Sequence, residues 1–314
     1  MPSSKAEAGL IVAGAPAQAH VMGYGPAEIA AYDAAFDADA RTIEIWLDGR
    51  SAQTQRAYRR EVAAFRRFVP VPLRSVTLAH LQAWKNSQDL AALAPSSRAR
   101  AIAAVKSLFA FACHRLGYLP LDPSAALKSP KVDNTLAERI MNEAEMQKIL
   151  HSETNPRNEM ILRLLYASAV RVSELCGLTW AKVKARDEGK GQITVMGKGG
   201  KTRAVIVSAT VYAGLMAIKA RGAADTDPVF ASRKKGGHLT PFQILRIVRA
   251  AADRAGVEGK VSPHWFRHAH ASHSLQRGAT IALVQSTLGH SNVATTGRYL
   301  HAMPNDSSGL CLPV

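Results

Sequence analysis

Residues 119–139, LPLDPSAALKSPKVDNTLAER, prevent this chain from folding as one continuous helical body. Its three prolines each remove a backbone donor and push the preceding residue away from helical geometry. Charged residues are scattered among them, and no hydrophobic period survives across the stretch. On either side the apolar residues return at helical spacing. The sequence therefore predicts two folded domains: a helical one over 41–128 and a second over 142–314, joined by a linker at 129–141.

The amino-terminal arm, residues 1–40, stands apart in charge. It holds one base, Lys5, against five acids, Glu7, Glu28, Asp33, Asp37 and Asp39, so it carries −4. Residues 1–25 are rich in Ala, Gly and Pro without a period and read as partly disordered. A helix is predicted over 26–48, with Pro26 at its start and apolar residues at Ile29, Tyr32, Phe36, Ile43 and Trp46. The segment 51–69 reads as an amphipathic helix capped by Ser51 or Thr54. Ala57, Tyr58, Val62, Phe65 and Phe68 make its apolar stripe. Arg56, Arg59, Arg60, Arg66 and Arg67 fill the rest, with only Glu61 to offset them. A solvated surface is the plain explanation for such a face, and a phosphate-facing helix is the functional one. Further helices are predicted over 78–88 and from Pro95 to about 117, the latter carrying Arg98, Arg100 and Lys106.

In the second domain Asn142 and Glu145 form a capping box ahead of Met146, Ile149 and Leu150. Met160 to Leu178 reads as a buried pair of helices. QITVMG and TRAVIV, residues 192–197 and 202–207, are β-branched and joined by KGGK, which predicts a hairpin with Lys198 at its tip and Lys201 beside it. A short strand is predicted at Val229-Phe230. Helices are predicted over about 209–221, 240–255, 265–276, 280–288 and 292–301, the last capped by Ser291.

The net charge is +16, from 40 Lys and Arg against 24 Asp and Glu. With −4 assigned to the arm, residues 41–314 carry +20, which points to a polyanion partner. No run of 18 apolar residues exists, so no membrane-spanning segment is expected. Cys113, Cys176 and Cys311 are odd in number and widely separated, which suits free thiols in a reducing interior. GLIVAGAPAQA, residues 9–19, imitates a signal peptide only weakly, and the expected location is cytoplasmic.

Six residues then carry chemistry in order. YASAVRVSELCGLTW supplies Arg171, with Glu174 one turn on. Lys198 follows at the hairpin tip. SPHWFRHAHASH supplies His264 and Arg267 on one helical face. LGHSNVATTGRYLH supplies His290 and, nine positions later, Tyr299. Each motif alone is weak, but the order and local text resemble the tyrosine recombinase (phage integrase) family in its Xer-like form, over roughly residues 140–301. The resemblance implies a mainly α protein with a small β-sheet: a DNA clamp of a helical core-binding domain and an α+β catalytic domain. It implies site-specific cleavage and rejoining of DNA strands through a 3′-phosphotyrosine, with Lys198 as general acid and Glu174 orienting the site. The expected partners are a double-stranded recombination site and further copies of the chain, two on a site and four in synapsis. No cofactor, metal or membrane is expected. The resemblance also implies that the tail 300–314, polar at 304–309 and apolar at its end, passes to a neighbouring protomer.

The residue types suit that chemistry. Arg171 and Arg267 can each hold two phosphate oxygens with a planar fork. His264 and His290 can complete the oxygen cage, and one of them can accept the tyrosine proton. Two other readings stay open. A type IB-like topoisomerase shares the chemistry, and an inactive DNA-binding accessory protein shares the charge. GKGGKT resembles a phosphate-binding loop, but the first glycine is missing and a strand follows it. His264 and His268 are spaced for zinc, yet no Cys or Glu completes a set. His268, His270 and His273 read as structural or solvent-facing.

Overall fold

The computed structural model describes residues 26–130, 140–197, 200, 202–232, 236–290, 292–297 and 299. The arm 1–25, the segment 131–139, Lys198, Lys201, Ser291 and the tail 300–314 lie outside the described residues. The chain forms two compact units, Met1–Asp133 and Asn134–Val314.

The first unit is helical: α1 (Pro26–Leu47), α2 (Ala52–Phe68), α3 (Leu78–Lys85), α4 (Gln88–Ala91) and α5 (Pro95–His114). Four helices were expected here; the fifth is the short α4, where Ser87 breaks the predicted 78–88 helix and caps a new turn by accepting from Leu90 N. Ser51 caps α2 by accepting from Thr54 N. Phe65 of α2 meets Trp84 and Phe109 edge-on at 5.1 and 5.9 Å, and all three are buried. Each such side chain contributes on the order of 1.5–3 kcal/mol of burial. Asp39 belongs to α1 and is fully buried. Its carboxylate accepts from Leu73 N at 2.9 Å and Tyr118 Oη at 2.9 Å, with Arg66 at 3.6 Å. The acidic character of 1–40 thus includes one carboxylate that organises the core.

The second unit begins with α6 (Glu143–His151), whose predicted Asn142–Glu145 capping box is present. Next come α7 (Pro156–Ser168), α8 (Val172–Cys176), β1 (Val183–Ala185), β2 (Gly191–Met196), β3 (Thr202–Val207) and α9 (Ala209–Ala217). α10 (Pro241–Arg254), α11 (Pro263–Gln276), α12 (Ile281–Leu288) and α13 (Val293–Gly297) complete it. The sheet is antiparallel in the order β1-β2-β3, with Ile193 facing Val205 across the predicted hairpin. Ile193, Val195, Val205 and Val207 alternate into the core, as period-two patterning requires. β1 was not expected: three residues are too few to show a period. Val229-Phe230 forms no strand. Isolated bridges flank it, Thr179 to Pro228 and Ala231 to His238, while Val229 and Phe230 are buried in the main core.

Candidate active site

Arg171 follows a reversal of the chain. α7 ends at Ala169, whose φ of 50° is left-handed, and α8 starts directly after Arg171. Glu174 locks this turn. Its Oε2 accepts from Arg171 N at 2.7 Å and its Oε1 from Arg171 Nη1 at 2.9 Å. Arg203, from β3, adds a two-point contact: Nη1 to Oε1 and Nη2 to Oε2, both 2.8 Å. Burial alone would raise the Glu174 carboxyl. The hydrogen bonds from Arg203 and Arg171 outweigh it and hold the pKa below the usual carboxylate value. Arg171 Nη2 also reaches Gly289 O at 3.4 Å, and about a third of its side chain stays exposed.

Arg267 is buried on α11. Nη1 donates to Ala169 O and Nη2 to Leu288 O, so one guanidinium ties the end of α7 to the end of α12. Burial, then the charges of Arg171 and Arg203, push its pKa down to about 10, which leaves it cationic at neutral pH. Those two contacts use two of its five N–H donors. His264, one turn earlier on α11, is exposed. Protein packed around its ring, then Arg267 and Arg171, holds its pKa below the usual value.

Gly289 ends α12 with φ 64° and so turns His290 back toward the arginines. His290 Nδ1 lies 2.9 Å from Thr296 Oγ1 on α13. Burial first, then Arg267, Arg171 and Arg203, push the imidazole down to about 4. α13 begins at Val293, with Asn292 Oδ1 accepting from Ala294 N at 2.9 Å. It stops at Gly297, well short of the predicted 301. Tyr299 is therefore in a turn, with its N–H on Thr296 O at 3.0 Å. The Tyr299 ring is 3% exposed and packs with Ala169, Ala271, Val284 and Leu288. Its hydroxyl lies 2.8 Å from His268 Nδ1.

Arg171, Glu174, His264, Arg267, His290 and Tyr299 thus share one linked site. Arg203 and His268 belong to the same site and were missed. Both had a signal. Arg203 has the register of Val205 and Val207, so it sits on the core-facing side of its strand. His268 follows Arg267 and is one turn from His264, with ring centroids 6.5 Å apart. His268, expected to be structural or solvent-facing, is half-buried with its Nδ1 on the tyrosine hydroxyl. His270 and His273 are structural: His270 Nδ1 lies 2.7 Å from Tyr166 O, and His273 bridges Tyr166 Oη and Met141 O at 2.8 and 2.9 Å. Among the described residues, no group of three His, Cys, Asp or Glu is placed to hold a metal ion. No described helix is long and apolar enough to cross a membrane.

The basic residues of the first unit divide by environment. Arg56 and Arg67 are exposed and have no acidic partner among the described residues. Arg59 pairs with Glu44, and Arg60 and Arg100 both reach the buried carboxylate of Glu61. Arg66 turns inward, between Asp39 and the Phe36 ring. Arg98 Nε is buried, and Lys106 donates to Leu127 O.

A helical unit followed by a helix-and-sheet unit, with three arginines, three histidines and a tyrosine gathered at one site, fits a strand-transferring enzyme of the tyrosine type. Residues 133–306 match the phage integrase family, and residues 43–115 match the phage integrase N-terminal SAM-like domain. The chain belongs to the phage integrase family, the tyrosine recombinases. It is 32% identical over 272 residues to tyrosine recombinase XerC of Mycobacterium sp. (strain JLS), covering 81% of this chain and 89% of that protein. It is likewise 32% identical over 279 residues to tyrosine recombinase XerD of Shewanella oneidensis, covering 84% and 91%. A lambda integrase dimer bound to a COC′ core site has the same fold, with a TM-score of 0.68 at 20% identity over 85% of this chain and 95% of that one. The protein is a tyrosine-type site-specific DNA recombinase, which cleaves and rejoins strands through a 3′-phosphotyrosine. The topoisomerase and inactive-accessory readings find no support in these relatives.

Proposed function

We propose that Tyr299 is the nucleophile of this recombinase and that Arg171, Lys198, His264, Arg267 and His290 form its catalytic set. The observation that carries this is the convergence of the Arg171 turn, the α11 residues His264 and Arg267, and the α12–α13 residues His290 and Tyr299. A DNA phosphate at the arginines meets two planar forks, which stabilise charge as it builds on the pentavalent phosphorus. The Tyr299 oxygen bonds to phosphorus, the bond from phosphorus to the 5′-oxygen breaks, and Lys198 protonates that oxygen. The new phosphotyrosine keeps the phosphodiester's bond energy, so the reverse attack rejoins strands without ATP. Glu174 orients Arg171 and touches no DNA.

The substrate is a double-stranded recombination site. Arg56, Arg59, Arg60, Arg66, Arg67, Arg98, Arg100 and Lys106 of the first unit and Lys201 of the second are the candidates for gripping it. Several relatives of this fold were solved on DNA, among them the lambda integrase dimer, which supports two protomers per site. Four protomers in synapsis follow from pairing two such sites, and a chromosomal or plasmid substrate puts the working protein in the cytoplasm. A nicked suicide duplex, selected from random DNA by binding to the full chain, tests the assignment. Denaturing gels should show a covalent adduct, and peptide mapping should place it at Tyr299. An adduct at another residue would overturn the assignment.

A further inference from the structure

We propose that His268 accepts the phenolic proton of Tyr299 during strand cleavage, a role that rests on Tyr299 being the nucleophile. The two residues meet directly: Nδ1 lies 2.8 Å from the hydroxyl, within the range for direct proton transfer. The rings are tilted by 48° with centroids 5.6 Å apart. A phenol loses its proton near pH 10 when unassisted, so a neighbouring imidazole is the kind of base it needs.

The other histidines are placed for different work. The Nδ1 of His290 is occupied by Thr296, and three arginines oppose any positive charge on that ring. His264 lies one turn before Arg267 on α11, where protein packed around its ring, then the charges of Arg267 and Arg171, hold its pKa down. His268 shares that helix, so a single rigid element carries a cage histidine, a cage arginine and the base. Among the described residues, the titratable groups near His268 include Tyr299 from the turn after α13, His264 on its own helix, and Lys260 from the segment before it. With Ser262, His264 and Trp265, Lys260 and His268 line a cleft of about 330 Å³. This cleft gives the imidazole a route to pass its proton to water. The step balances: the hydroxyl proton moves to Nδ1, the oxygen bonds to phosphorus, and the 5′-oxygen leaves with a proton from Lys198. In rejoining, the 5′-hydroxyl gives its proton to Lys198 as its oxygen bonds to phosphorus, the bond from phosphorus to Tyr299 breaks, and the tyrosine oxygen takes a proton from Nδ1.

The test is single-turnover adduct formation by the full chain on the selected suicide duplex, followed between pH 5.5 and 9. His268→Asn keeps an amide near the Nδ1 position but cannot take a proton; His268→Ala removes both functions. In the wild type the rate should climb with pH as a histidine loses its proton, then level. In His268→Asn that limb should vanish, the neutral rate should fall on the order of a hundredfold, and the remaining rate should rise with hydroxide. Half-site binding should be unchanged. A His268→Asn rate within about threefold of wild type, with the same limb, would overturn the proposal. Tyr299→Phe separates the two ideas: an adduct on that variant sinks the nucleophile assignment itself. If the His268 variants fail to fold, the ¹⁵N shifts of His268 in the otherwise intact chain serve instead. Tyr299→Phe should change their tautomer signature, and an unchanged signature would overturn the contact.

Discussion

Arg203 and Glu174 form a two-point pair, with Nη1–Oε1 and Nη2–Oε2 both at 2.8 Å and side chains 13% and 3% exposed. Because Glu174 also holds the backbone and guanidinium of Arg171, this pair connects the hairpin strand β3 to a site arginine. Arg203 Nε continues the connection to Thr287 O at 2.8 Å, on the helix that ends at Leu288, two residues before His290. The strand that leads from Lys198 is thereby fixed to the elements carrying Arg171 and His290.

Arg203→Ala should destabilise the protein by roughly 3–5 kcal/mol, because it strands a buried carboxylate with half its partners. Arg203→Lys should keep part of the stability yet lose cleavage rate, since a single ammonium cannot span both oxygens. Urea midpoints and suicide-substrate rates measured together check this. Wild-type values for Arg203→Ala would remove the pair from any structural account of the site.

Arg171→Lys and Arg267→Lys should each lose on the order of a hundredfold or more in cleavage, the scale of about 3 kcal/mol for one transition-state contact. Arg267→Lys should also destabilise the fold, because one ammonium cannot serve both Ala169 O and Leu288 O. Arg171, more exposed and tied through Glu174, should show mostly the catalytic loss. Near-normal cleavage by either variant would mean that charge suffices without the fork.

The arginines of the first unit should separate by experiment. Arg56→Ala and Arg67→Ala remove exposed charges, so each should lower the salt slope of half-site binding by about one and leave melting unchanged. Arg66→Ala should do the reverse, because that side chain lies between Asp39 and Phe36. Gel shifts across a salt series, with melting curves, decide it; a full salt-slope effect from Arg66 would show that it turns outward to DNA.

Much of this was legible in the sequence because the decisive signals are local. Pro26, Ser51, Pro95 and Asn142 mark helix starts by capping or by the fixed backbone of proline, and the hairpin shows in two β-branched runs. The order Arg171, Lys198, His264, Arg267, His290, Tyr299 needed no contacts to be seen. What escaped depended on tertiary partners. Arg203 looked like one more basic residue near a basic tip, since its carboxylate partner is 29 positions away. His268 sat in a histidine-rich run where only the packing of Tyr299 picks one ring out. The last helix ended early because Gly297 lowers helical propensity just before the tyrosine.

Lys198→Ala should be rescued by a better leaving group. A bridging 5′-phosphorothiolate departs as a thiolate and needs no proton. If Lys198 is the general acid, the variant should cleave the sulfur substrate nearly as fast as the wild type while failing on oxygen. An equal deficit on both would reassign Lys198 to binding.

His290 should act as a neutral hydrogen-bond donor rather than as a cation. Burial and three arginines push its pKa to about 4, so at neutral pH in the free protein the ring is uncharged. The unfolded chain, with a pKa near the ordinary ~6.5, takes up the proton first. The stabilising effect of the neutral ring is therefore complete above about pH 6.5 and is lost as pH falls toward 4, up to about 3 kcal/mol. His264, His270 and His273 are depressed in the same direction and add to the acid loss. Melting at pH 7 and pH 4.5 should differ less in His290→Asn than in the wild type, because asparagine can still reach Thr296 but does not titrate. An identical loss in both proteins would mean that His290 takes up its proton equally in the folded and the unfolded chain, so that burial and the three arginines do not hold its pKa down.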